Sequence, residues 1–265
     1  MKTALLSMAV MMMTQTAFAM NDCQNQSLSV LQKNDQHGYR VYTKLDHEDK
    51  NKFLRVLTCE KVMILELPFA VRGAILNLSQ DGTNLSLSGK NMNSLVLPQA
   101  SLKPAAIVDQ LDINDPIVKF YLLEQSQSNS KNDFSRLLEV LNSYTHALQS
   151  AVNLHALLPG ASSTHHRNGL ATVMNIVKIY INRVATTEAA TFRILNLPEN
   201  AQILRTMWAD AENALKASCA PNKFGLGTND AAVLAQLYSP DTMGGLVHIL
   251  DYTPTISVQC RNASR

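Results

Sequence analysis

A chain of 265 residues, 46% hydrophobic and 17% charged, has enough apolar material for a folded core and is not disordered by composition. Its formal net charge of +2, with no long Lys/Arg run, excludes an electrostatic footprint for nucleic acid or an anionic membrane. No uninterrupted apolar stretch reaches the roughly 20 residues needed to cross a bilayer, so no membrane span is expected.

The first residues read as an export signal. Lys2 supplies one positive charge, an uncharged Ala/Leu/Met/Val stretch follows over residues 4–13, and Ala17-Phe18-Ala19 offers small residues at a cleavage site. Cleavage between Ala19 and Met20 is expected, giving a periplasmic or secreted protein. Losing Lys2 lowers the formal charge from +2 to +1. Cys23 is three residues too late to be a lipid anchor at the first mature position. The six Met beyond the signal (Met20, Met63, Met92, Met174, Met207 and Met243) are scattered, as core filler is.

Four Cys remain: Cys23, Cys59, Cys219 and Cys260. An even count in an oxidising compartment reads as disulfides. Their spacing favours Cys23 with Cys59 and Cys219 with Cys260, each loop contributing about 3–4 kcal/mol. None stands two to four residues from another, so the zinc-site spacing is absent.

The predicted elements begin with strands. Tyr39, Val41, Thr43 and Leu45 alternate with Arg40, Tyr42 and Lys44, which predicts a strand. Residues 46–57 read as a short helix capped by Asp46, and the apolar run 62–67 as a buried strand. Leu76 and Leu78, the turn Gln80-Asp81-Gly82, and Leu85 and Leu87 together read as a β-hairpin. Residues 95–97 add a strand that Pro98 ends.

After residue 109 the pattern is helical. Asp115-Pro116 opens one helix and Asn132 or Asp133 caps a long one carrying Phe134, Leu138, Leu141, Leu148 and Val152. Pro159-Gly160 ends it. Thr164 opens the next, which is expected to break over 185–190. Pro198 opens another that reaches Cys219, and Asn229 caps a short one. Residues 255–258 read as a C-terminal strand. The expected class is therefore α+β: a signal peptide at 1–19, a small β-rich region with a hairpin-containing antiparallel sheet at 20–108, and a larger helical region with a C-terminal strand at 109–265.

Motifs for chemistry are sparse. Gly160-Ala161-Ser162-Ser163 lacks the second Gly and the preceding strand of a nucleophile elbow. Gly225-Leu226-Gly227-Thr228 has neither the third Gly nor the Lys of a phosphate loop. Asn77-Leu78-Ser79 and Asn84-Leu85-Ser86 match the glycosylation sequon. Asp210 and Glu212 stand two apart on a helix and do not face each other. The weak metal candidates are His155, at the end of one helix, and His165 and His166, at the start of the next. Adjacent helical residues diverge by about 100°, so three imidazoles do not converge easily on one ion, and no metal or other cofactor is expected. Catalytic residues are not identified, which favours a non-enzyme.

The functional expectation is an exported cell-envelope accessory or binding protein that acts by protein–protein contact, an inhibitor or immunity-type protein being one form. An extracytoplasmic hydrolase and a periplasmic small-ligand-binding protein are the alternatives. Another protein is the expected partner. N-terminal sequencing of the exported, folded protein should begin at Met20; an intact Met1 on it would refute the export reading.

Overall fold

The computed structural model describes residues 22–57, 63–80, 84–85, 87, 92–93, 101–123, 130–157, 164–220 and 228–262. The export segment 1–19, Cys59, the turn residues Asp81 and Gly82, Ser86 of the second sequon, the strand at 95–97, Pro159-Gly160, Ser162-Ser163 and the 225–227 loop lie outside them.

The described chain is helical from its start. In order it forms α1 (Asp22–Asn34), α2 (Gln36–Lys44), α3 (His47–Val56) and α4 (Met63–Gln80). A two-residue antiparallel pair follows, β1 (Asn84–Leu85) against β2 (Met92–Asn93). A 3-10 turn, Pro104–Gln110, leads to α5 (Pro116–Val118), which continues as a π-turn over Lys119–Leu123. The remaining helices are α6 (Phe134–Leu154), α7 (Thr164–Thr187), α8 (Ala189–Leu195), α9 (Pro198–Ser218), α10 (Thr228–Leu237), α11 (Gly244–Leu250) and α12 (Val258–Asn262).

The fold is therefore helical, and the α+β expectation is overturned. The expected strand at 39–45 is α2: Gly38, Val41 and Leu45 are buried, at steps of three and four. The expected buried strand at 62–67 and the first arm of the hairpin are both inside α4. There Leu67, Ala70, Val71, Ala74, Ile75 and Leu78 form one buried helical stripe. Leu78 belongs to that stripe while Leu76 is only half-buried beside it, and an alternation of two leucines is too short to separate a period of 2 from one of 3.6. Leu85 pairs with Met92, not with the residues before the turn. Residues 253–257 form no regular element and Val258 starts α12, so the expected strand at 255–258 is absent.

Helix starts were better encoded. The Asp46 side chain accepts from the Asp49 N–H at 2.7 Å and opens α3. Asp115 accepts from Ile117 N–H at 2.7 Å, and Asp133 accepts from Ser135 N–H at 2.9 Å. α7 and α8 separate at Glu188, inside the expected break, and Pro198 is the first residue of α9.

α6 is the central element. Sixteen of its 21 residues are buried, so it is covered almost all round. α4 lies on one side of it and α7 and α9 on others. α1 to α4 enclose one apolar cluster around Leu31, Phe53, Leu67 and Val71, which reaches Leu154 at the end of α6. A larger cluster fills the space among α5 to α12. Cys219 and Cys260 form the expected disulfide, with Cα atoms 4.9 Å apart, and tie α12 to the end of α9. Cys23 is also disulfide-bonded. This cross-linking is compatible with an extracellular protein, and among the described residues no helix is long and apolar enough to cross a membrane.

Two buried cations on α7 close other helices. The Arg167 side chain, fully buried, donates from Nε to Ser218 Oγ at 2.9 Å and from Nη2 to the Ser218 carbonyl at 2.6 Å, at the end of α9. Lys178, equally buried, donates from Nζ to the Gln236 and Leu237 carbonyls at 2.7 and 3.1 Å, at the end of α10. The last carbonyls of a helix lack intrahelical donors and carry partial negative charge, so cations satisfy them twice over. Burial pulls the Lys178 ammonium down to about 8. Lys178→Met keeps the apolar stem and leaves both carbonyls without that donor, at a cost of about 1–3 kcal/mol. Thermal unfolding of Lys178→Met should therefore show a midpoint several degrees below that of the parent; an unchanged midpoint would rule out the capping role.

Candidate functional site

A cleft of about 670 Å³ opens where α4, α6, α7, α10 and the segment around α5 meet. α4 contributes Phe69 and Arg72, three residues apart and so on one face. α6 contributes Tyr144. α7 contributes His166, Asn168, Gly169, Thr172 and Asn175, and the α5 segment brings Asp112 and Asp115.

The guanidinium of Arg72 lies over two rings. Its central carbon is 4.8 Å from the centre of Tyr144 and 5.6 Å from that of Phe69. Tyr144 in turn packs on α7 at Gly169. A Cβ there would overlap the tyrosine ring, meeting Cδ1 at 2.8 Å. Glycine at 169 is thus what allows the aromatic floor beneath Arg72. Among the described residues no carboxylate forms an ion pair with Arg72. Cation–π contact stabilises the group's position but uses none of its five in-plane N–H donors.

Asp112 and Asp115 also line the cleft, and among the described residues neither has a cationic partner. One oxygen of Asp112 accepts from the Asn114 N–H at 2.9 Å. One oxygen of Asp115 caps α5, and the other stands 3.5 Å from the Thr172 hydroxyl. Asn175 is 4% exposed, and its Oδ1 has no hydrogen-bond partner. A buried acceptor left without a donor is costly.

The three expected histidines separate. His166 lines the cleft, buried, with its ring 4.4 Å from that of Phe69. His155 begins the 3-10 turn His155–Leu157 after α6, half-buried, and does not line the cleft. His165 is in the first turn of α7, and its side chain lies outside the description. No group of three or more His, Cys, Asp or Glu side chains is placed to hold a metal ion among the described residues. Asp210 and Glu212 diverge as expected: Asp210 accepts from the Leu87 N–H at 2.9 Å, Glu212 from the Tyr252 hydroxyl at 2.6 Å.

Sequence reasoning missed Arg72, Asp112, Asp115 and Asn175 as a group. A signal existed for Asn175 alone, a polar residue inside the apolar run of α7. Arg72 was hidden because the segment before it was read as a strand.

A second polar cluster seals α2 to α6. His146, Ser150 and Asn153 fall at i, i+4 and i+7 on α6. Asp35, fully buried, accepts from the Gly38 N–H at 3.0 Å, from Asn153 Nδ2 at 2.7 Å and from the Ser150 hydroxyl. His37 Nε2 lies 2.8 Å from His146 Nδ1, one nitrogen donating and the other accepting. Ser150 donates to a carboxylate and not to an imidazole, so it is not arranged as an activated nucleophile. The cluster reads as a polar seam that fixes the register of the two helices.

Burial, and secondarily the charge of Arg40, pulls His37 from 6.5 down to about 4. Above pH 6.5 the group is neutral both folded and unfolded. Between pH 6.5 and 4 the unfolded chain binds the proton and the folded chain does not, so stability falls as pH falls, by up to about 3 kcal/mol. Denaturant titrations at pH 7, 5.5 and 4.5 should show this decline, and His37→Gln should flatten it. An identical decline in the variant would assign the acid sensitivity elsewhere.

The chain matches no family model, no curated protein and no solved structure.

Proposed function

We propose that this chain is an exported binding protein, not an enzyme, and that its ligand sits in the cleft between α4, α6, α7 and α10. The observation that carries the reading is a cleft wall holding an arginine that, among the described residues, forms no ion pair. Such a group is costly where nothing answers it and useful where a ligand does. The volume, about 670 Å³, is within the roughly 300–1,000 Å³ of small-molecule sites, and apolar walls with a few convergent polar groups are their usual chemistry. Export is supported by the order of charge, apolar stretch and small residues over 1–19, together with the Cys219–Cys260 cross-link.

A second reading is favoured by one further observation. Phe69 on the cleft wall is 41% exposed, and Ile113, next to Asp112, is 53% exposed. Large apolar side chains beside a cleft also suit contact with another protein, the accessory role expected from the sequence.

A thermal-shift screen separates the two. Amino acids, short peptides, sugars and nucleosides are tested against the parent and against Ala232→Trp, which places a large ring in the cleft from an exposed position on α10. Saturable stabilisation by one class in the parent, lost in Ala232→Trp, is the expected result. No shift with any class, alongside a captured partner protein that still binds Ala232→Trp, would overturn the cleft reading in favour of surface contact.

A further inference from the structure

We infer that the ligand is zwitterionic, a short apolar peptide held by its free C-terminal carboxylate on Arg72. The inference rests on the cleft being the binding site and adds the chemical class of what it takes.

The argument starts from charge. One cleft presents an arginine and two aspartates, and none of the three is ion-paired among the described residues. A multiply charged anion such as a phosphate would be drawn to Arg72 but repelled by Asp112 and Asp115. A simple cation would meet the reverse. A neutral sugar would leave Arg72 without a counter-charge in a partly desolvated site. A molecule with separated opposite charges satisfies all three groups at once.

Geometry favours a carboxylate as the negative end. The Arg72 guanidinium stands over the rings of Tyr144 and Phe69, contacts that use none of its N–H donors and leave its fork for a planar, two-oxygen acceptor. The positive end, a terminal ammonium, is matched by the carboxylates of Asp112 and Asp115. The remaining walls include Leu111, Pro116, Ile117 and Val233, which suit apolar side chains. The space exceeds what a single amino acid fills, so two or three residues fit the volume better than one.

The probe is leucyl-leucine, compared with its C-terminal amide and its N-acetyl form by isothermal titration calorimetry at low salt on the whole exported chain. Leucyl-leucine should bind saturably. The amide should bind at least tenfold more weakly, and the N-acetyl form more weakly than the parent dipeptide. In Arg72→Gln the free acid should fall to the affinity of the amide while the amide is unchanged. Arg72→Lys keeps the charge without the fork and should lie between the two, which guards against a folding defect in Arg72→Gln. Equal binding of acid and amide, or a preference that survives Arg72→Gln, overturns the carboxylate assignment. If either peptide form then binds and Ala232→Trp abolishes that binding, the cleft remains the site and only the zwitterion inference has failed. Peptide binding that Ala232→Trp leaves intact removes the cleft reading itself. Absence of any saturable heat with leucyl-leucine also overturns the inference, while the ligand screen decides the cleft independently.

Discussion

α7 holds two cations in a place where a cation is ordinarily forbidden, and the C-terminal half of the molecule is arranged around what they touch. Arg167 and Lys178 are eleven residues apart, three helical turns, and so share a face. Both are fully buried, and both end on backbone carbonyls at the close of another helix, α9 and α10 respectively. A buried charge without partners would cost several kcal/mol. The helix ends need donors for the same physical reason, because their last carbonyls are orphaned in an apolar setting. Each problem is the other's solution, and the joint solution sets where α9 and α10 sit along α7.

That placement produces the cleft. α10 is held against the face of α7 that carries the buried Lys178. Asn175, one turn before Lys178, consequently lies in a wall between α7, α10 and the α5 segment. One turn earlier still, Thr172 reaches toward Asp115, and about a turn before that Gly169 admits the ring of Tyr144. The cationic lining residue comes from α4, which packs on α6 alongside. The candidate site is therefore assembled from segments distant in sequence, and no local motif spans it. Arg72 forms no ion pair among the described residues, and the helices around it are held by other interactions.

The N-terminal helices are joined to this body by different chemistry. The seam of Asp35, His37, His146, Ser150 and Asn153 is polar and almost wholly enclosed. Its directional bonds allow one register between α2 and α6, where an apolar contact would tolerate several. Gly38 is required there because a side chain would collide with the carboxylate that caps its own helix. The histidine pair makes the seam sensitive to acid, since the neutral state is the one that burial favours.

The sequence by itself determined the features that depend on neighbours along the chain. Asp46, Asp115 and Asp133 as caps, Pro198 as a first helical residue, the break before α8 and the long buried stripes of α6 and α7 follow from local hydrogen bonding and a period long enough to measure. The cysteine spacing carried the Cys219–Cys260 pairing for a similar reason, since a loop of this size makes it the natural closure. The class of the described residues before position 100 was decided by tertiary structure. Segments such as 39–45 and 76–78 are too short to distinguish two periods, and burial against α6 and neighbouring helices selects the helical one. The site was decided there as well. Arg72, Asp112, Asp115 and Asn175 are unremarkable one by one, and what distinguishes them is that three-dimensional packing brings unpaired charges and an unpartnered oxygen to the walls of one cleft. Arg72 and Asn175 stand 103 positions apart in the chain, and only the fold creates the distances between such groups.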